Sequence, residues 1–381
     1  MWEGTWPTVD EYNRNIKTHC PGTKAAAMAG KPLAGKSGSN FVFVLYKLKA
    51  DLEHWGEDWN LPRHNAVHPC ALCPVSSREG DMPWTDFREN APWITRTYTN
   101  AAFRDLFPGA HIIFSCQPGV GVETLAPDYL HDKHLGFDVY FLSSVLVLLV
   151  YYIMPKETAE DNLIDLWLFI KAWYKTSDGL SHAANAYQNM RLPMFCSGPD
   201  SEGGPLLKGR AAEIASLTPA LLAGFREFMD HNDPHHKQVR LGLKLSGSLD
   251  KVISVHKDDD VLPAPAAAQF QKTAFDLMAI MTSINQYGYI CNPPRRLFNI
   301  TIKNHYLLHI ALFAKDLNPR HGWCYRGEDM MQKAKLLASS CCKSRTIYSV
   351  FEKMDQKYLF GLHHLFSADN VLGRPSRANV Q

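Results

Sequence analysis

His68-Pro69-Cys70-Ala71-Leu72-Cys73-Pro74 sets two thiols two residues apart in a proline-flanked run. That spacing lets both sulfurs face one tetrahedral Zn²⁺. No second Cys-x-x-Cys follows, so the remaining ligands must come from elsewhere, with His64, His68, Cys116, His131 and His134 as candidates. Pro127-Asp128-Tyr129-Leu130-His131 puts a carboxylate where an extended segment gives way to an apolar helix. An acid there is suited to holding a divalent metal and equally suited to capping the helix. His305-x-x-x-His309 places two imidazoles on one helical face, a zinc-ligating spacing. With no Glu after His305 the zinc-protease string is absent, and the pair reads as packed or hydrogen-bonded histidines. Glu328 falls in the first turn of a helix with an apolar stripe of Met330, Ala334, Leu337 and Cys341. An acid there complements the helix dipole or ligates a metal.

One string is rejected on its context. Gly30 through Ser37 fits the phosphate-loop pattern G-x-x-x-x-G-K-S, but Lys24–Ala29 is no strand and a strand, not a helix, follows Ser37. A phosphate loop needs the opposite order, because the helix N-terminus supplies the anion-binding amides.

The elements that must position these groups come in two styles. Phe41–Leu48, His111–Cys116 and Val120–Leu125 are short, apolar and β-branched or aromatic, and read as buried strands. Residues 60–110 are rich in Pro, Trp and Asn without a steady period, an irregular region held by something other than repetitive packing. After Pro127 the pattern is helical, with the periodic stretches Asp161–Tyr174, Pro219–Met229, His235–His256 and Ala266–Tyr287. Phe137–Met154 is strongly apolar, but its uncharged part spans only about 24 Å as helix against a bilayer core of about 30 Å. It is expected to be a buried helix, with no membrane as partner.

Composition narrows the class. The chain has 381 residues, 46% of them apolar and 20% charged, with a net charge of +2. This is a globular balance of two or three domains, and the overall charge does not by itself argue for nucleic acid. After residue 290, however, 14 Lys and Arg face 6 Asp and Glu, so the C-terminal quarter is basic enough to meet phosphates. Nine cysteines without a disulfide-framework pattern, and no apolar leader at Met1–Asp10, point to a reducing intracellular compartment.

Taken in order, a strand ending near Asp51, Cys70-x-x-Cys73, Asp128-x-x-His131, a helical block and Glu328 on a late helix form a series. It resembles the eukaryotic cut-and-paste DNA transposases of the DDE class, particularly the CACTA and Plavaka-like group, over roughly residues 40–365. Lys303-Asn304-His305-Tyr306-Leu307-Leu308-His309, then Trp323 through Glu328, is similar to the Lys/His-rich helix that leads to the last Glu in that family. The resemblance implies an α/β fold: an RNase H-like core carrying the Cys-x-x-Cys knuckle, interrupted by a large all-helical insertion and predominantly helical after residue 128. It divides the chain into a loose lead-in at 1–40, the first part of the core at 41–154 with the knuckle region at 60–110, a helical insertion at 155–297, the C-terminal helical part of the core at 298–365, and a tail at 366–381.

The same resemblance implies a chemistry. Asp51, Asp128 and Glu328 would be the catalytic carboxylates holding Mg²⁺ or Mn²⁺ for phosphodiester cleavage and strand transfer. His131 would support Asp128 or join Cys70 and Cys73 on a structural Zn²⁺. Lys303, Arg326, Lys333 and Lys335 would meet DNA, in the nucleus, in a homo-oligomer. Family members commonly begin further upstream, so the chain reads as a truncated copy whose first acid is Asp51 or precedes Met1, with activity lost in the latter case. Two rival readings remain from the residues alone. One is a non-catalytic, zinc-stabilised module that binds nucleic acid or protein; the other is a zinc hydrolase gathering His131, His134 and His305 on one ion.

Overall fold

The computed structural model describes residues 33–34, 40–41, 47–78, 82–111, 114, 120–196, 204–286, 295–342, 349–350 and 352–360, with the backbone alone for 33–34, 40–41 and 326–332. The chain divides into two compact units, Met1–Cys324 and Tyr325–Gln381. The expected segments 41–154 and 155–297 both fall within the first.

The first unit is built around one apolar helical run. Leu130–Phe137 has π geometry, α3 (Asp138–Leu148) follows, and Leu149–Ile153 is again π. Its apolar residues go all the way round, which requires packing on every side. It is the one helix among the described residues long and apolar enough to cross a membrane, and 78% of its apolar window is buried inside the protein. Against it pack α6 (Ala211–Phe228), α4 (Ala159–Trp173) and α9 (Ile302–Phe313), while α7 (Pro234–Val255) and α8 (Ala264–Ile284) lie along one another.

Local chemistry explains where these helices start. Thr158 caps α4 through Asp161 N–H, and Asp233 caps α7 ahead of Pro234 at its first position. Asn304 reaches back to the Thr301 N–H at the start of α9. The α6 helix begins eight residues before Pro219, which sits inside it, so the proline marks no boundary there. Its early start is fixed by Glu213, which accepts from the Arg210 N–H.

The α/β, RNase H-like expectation is overturned. Among the described residues the protein is predominantly helical, and its strands form two two-stranded sheets of two residues per strand. β1 (Leu33–Ala34) and β2 (Asn40–Phe41) are antiparallel; β3 (Leu48–Lys49) and β4 (Leu125–Ala126) are parallel. Side-chain hydrogen bonds explain the shortness of the Val120–Leu125 strand. Asn100 Oδ1 accepts from the Val122 N–H at 2.9 Å, and Thr124 closes a 3₁₀ turn onto Gly121, leaving only Leu125 onward extended. Of His111–Cys116 the described residues show no strand, and Phe114 lies in a helical turn. Residues 42–46, 112–113 and 115–116 of these strands lie outside the described residues, as do 30–32 and 35–37 of the phosphate-loop string. The remaining short helices that bear on the sites are α1 (Leu52–Glu57), α2 (Asn100–Leu106), α5 (Leu180–Ala183) and α10 (Pro319–Gly322). In the second unit α11 spans Tyr325–Cys341.

Candidate metal centre

Cys70 and Cys73 sit in a tight run in which the Leu72 N–H donates to Cys70 Sγ at 3.3 Å. His305 and His309 project from one face of α9, four residues apart, and all four side chains are buried. Cys73 Sγ lies 3.2 Å from His305 Nε2 and 3.3 Å from His309 Nε2; Cys70 Sγ lies 3.5 Å from His309 Nε2. The two Nε2 atoms are 3.1 Å apart. A tetrahedron with Zn–S of about 2.3 Å and Zn–N of about 2.0–2.1 Å has edges of about 3.3–3.8 Å, so this Cys₂His₂ set has the size and chemistry of a zinc cage.

The surroundings hold that geometry. Tyr306, beside His305 on α9, accepts from the Ala71 N–H at 3.0 Å and so ties the Cys run to the helix. Trp93 lies against both imidazoles, its ring centre 4.4 Å from His305 and 5.0 Å from His309, and its indole N–H donates to Asp86 O. Burial works against charge on both thiols. At Cys70 the hydrogen bond from Cys73 and the two imidazoles outweigh burial and hold the group well below the ordinary thiol value. Burial and the neighbouring Cys70 push Cys73 up. Metal ligation needs both sulfurs as thiolates, so binding displaces thiol protons. Burial also lowers His305, keeping it in the neutral form that ligates.

A second gathering of His134, Asp138 and Asp250 has ligand-like spacing but already contains a cation. The fully buried Lys133 ammonium lies 2.6 Å from Asp138 Oδ2 and 3.3 Å from Asp250 Oδ2. Burial opposes its charge, yet the two carboxylates prevail and raise its pKa. Ser246 donates to Asp138 and Tyr129 to Asp250, completing a satisfied buried ion network.

The expected acids fall elsewhere. β3 leads into Asp51 and the paired β4 into Asp128, so the two carboxylates follow neighbouring strand ends. Each Oδ1 caps a helix: Asp51 accepts from His54 N–H at 2.6 Å, and Asp128 from Leu130 N–H and Cys324 N–H, both at 2.9 Å. Each Oδ2 faces His131, at 2.5 Å from Nδ1 for Asp128 and 3.9 Å from Nε2 for Asp51. His131 thus stands between two acids and is separate from the cysteines. Next to it, Asp132 is fully buried and neither of its oxygens has a hydrogen-bond partner among the described residues. Burial pushes its carboxyl well above the usual range; the Lys303 ammonium opposes this, while Asp128, Cys70 and Asp51 reinforce it. Burial and Asp128 push the Cys324 thiol up to about 12, so it stays a thiol at neutral pH.

Of these acids Asp51 lines a cleft of about 730 Å³, with His131, Tyr140, Trp84, Lys303 and Tyr306 among its other walls, while Asp128 and Asp132 are buried. Lys303, expected to meet DNA, donates to Leu135 O at 3.1 Å from its position on the cleft wall. Gly136 permits that approach: a Cβ there would come within 2.7 Å of both His131 O and the Lys303 stem. Glu328 and Arg326 lie on α11 in the second unit, and their side chains are outside the described residues. Lys333 and Lys335 are exposed on the same helix.

The residues that complete the Cys pair are visible in the sequence as His305-x-x-x-His309, a spacing that on its own reads equally as packing. A Cys-x-x-Cys and a His-x-x-x-His are each half of a four-ligand set, and each lacked its other half, which was the available signal. Of the other candidate ligands, His68 Nδ1 lies 3.1 Å from Val75 O, His64 is exposed, His134 belongs to the lysine network and Cys116 lies outside the described residues. The three-histidine hydrolase arrangement does not form, since His131, His134 and His305 occupy three different sites. No family model, curated protein or solved structure matches this chain.

Proposed function

We propose that Cys70, Cys73, His305 and His309 hold a structural Zn²⁺, and that the scaffold so fixed presents Asp51 and Asp128 for divalent-metal-dependent cleavage of DNA phosphodiesters, of the transposase kind. Four buried protein ligands leave no open position for substrate, which makes the zinc structural. The observation that carries the catalytic part is the placement of Asp51 and Asp128 directly after two paired parallel strands, with both Oδ2 atoms turned to one imidazole. Mg²⁺ or Mn²⁺ held by such carboxylates would supply Lewis acidity and an activated water. His131 orients the Asp128 carboxylate, and the cleft beside it offers Lys303, Trp84 and Tyr140 to a nucleotide strand.

The test is nicking of supercoiled duplex DNA with Mn²⁺ by wild type, Asp51→Ala and Asp128→Ala, with zinc content and circular dichroism as fold controls. The wild type is expected to nick, and each variant to lose about 10²-fold or more with zinc retained. Equal nicking by all three overturns the catalytic reading.

A second reading is favoured by a different observation: both Oδ1 atoms already serve as helix caps. In that case the acids are architectural and the protein is a zinc-stabilised binding module. It would then bind DNA or a protein without nicking.

A further inference from the structure

The α4 helix carries a stripe that faces away from its own core. Leu163, Leu166 and Ile170 are its buried side. On the opposite side Ile164 is 56% exposed and Leu168 55% exposed, two large aliphatic side chains one turn apart on a solvent face. They lie in a row of exposed residues, Glu157, Asp161, Ile164, Leu168, Lys171 and Lys175, spaced alternately by four and three. That is the period of a helix-packing seam. The first and last of the row flank the helix proper, which spans Ala159–Trp173.

The order of charge along the row is what selects an occupant. It reads acid, acid, aliphatic, aliphatic, base, base, and so is antisymmetric about Leu166. A second copy laid antiparallel across the helical part of the row brings Asp161 opposite the other Lys171 and Ile164 opposite the other Leu168. A parallel copy would set like charges together. An antiparallel two-fold pairing is isologous and closed, so it stops at two chains. Beside the stripe, a groove of about 380 Å³ between α4 and Met190–Pro193, walled by Trp167 and Leu192, offers space for the facing aliphatic side chains. The Lys171 ammonium lies 6.0 Å from the centre of the Trp167 ring.

We propose that this face of α4 is a homodimer interface in which two copies pack antiparallel through Ile164 and Leu168, with Asp161 and Lys171 paired across the two-fold. One helix of about 22 Å per chain makes a small contact, at the transient end of the interface range. The dimer is therefore concentration-dependent. The proposal is independent of the zinc and phosphodiester readings.

Sedimentation velocity on the full chain from about 1 to about 200 µM covers the range where a contact of this size half-assembles. Wild type is expected to shift from monomer to dimer across it, and Leu168→Glu to remain monomeric with an unchanged circular dichroism spectrum. Asp161→Lys alone and Lys171→Glu alone each set like charges across the two-fold and are expected to weaken self-association about tenfold or more. Mixed one to one, these two variants restore opposite charges at both positions and are expected to dimerise as well as wild type. A wild type that stays monomeric, as it would if a different protein occupied this face, overturns the proposal. So does association indifferent to Leu168→Glu, or a mixture that fails to recover.

Discussion

At the residue scale the fold depends on buried polar groups and what satisfies them. Lys133 has two carboxylates, whereas Asp132, one position earlier and equally buried, has no partner among the described residues. The consequence is a pH dependence with a definite sign. Because the folded-state pKa of Asp132 is raised above its ordinary 3.8, the folded protein holds this proton more tightly than the unfolded chain does. Its contribution to stability is full below 3.8 and is lost as pH rises through the raised folded value. Asp132→Asn keeps the shape and removes the titration. Melting temperature measured from about pH 4 to about pH 8 is expected to fall with rising pH more steeply in wild type than in the variant. Parallel curves would mean that Asp132 is not held neutral. None of this was legible in the sequence, where Asp132 is one more acid in a polar run before an apolar helix. The four metal-site residues were legible by type and spacing, but joining the pairs required knowing that residue 70 meets residue 309.

At the element scale, the helices were readable and the strands were not, for a physical reason. The α4 and α7 helices bury a stripe with helical period and start at Thr158 and Asp233, so pattern and cap agree. A paired strand two residues long has no period to read, and β3 and β4 sit where apolar runs suggested something longer. Among the described residues, 60–110 contain only α2, one 3₁₀ turn at Pro92–Thr95 and an isolated bridge between Ser76 and Pro83. With so little regular structure, this segment depends on its attachment to α9 through the cysteines, Tyr306 and Trp93. Removing zinc with a chelator is expected to speed amide hydrogen exchange across 60–110 by about 10²-fold or more while α7 and α8 stay protected. A segment whose protection survives metal removal would show that apolar packing alone holds it.

At the scale of the whole molecule, the centre joins parts of the chain far apart in sequence. Cys70 and His309 are 239 residues apart, so the site closes most of the first unit into one loop. Loop closure of that length is costly for the chain alone, and binding at a site absent from the unfolded state becomes folding free energy. The Asp132 carboxyl feels Asp128, Cys70 and Asp51 together, and Tyr306 feels Cys70 and Asp132, so acids and cage share one electrostatic neighbourhood. Both the catalytic and the purely binding reading therefore require the same ion. X-ray absorption at the zinc edge on purified protein tests it directly. One zinc per chain is expected, with two sulfurs at about 2.3 Å and two nitrogens at about 2.0–2.1 Å, lost in Cys73→Ser and in His309→Ala. A protein free of zinc, or a zinc surrounded by nitrogen and oxygen without sulfur, would contradict it.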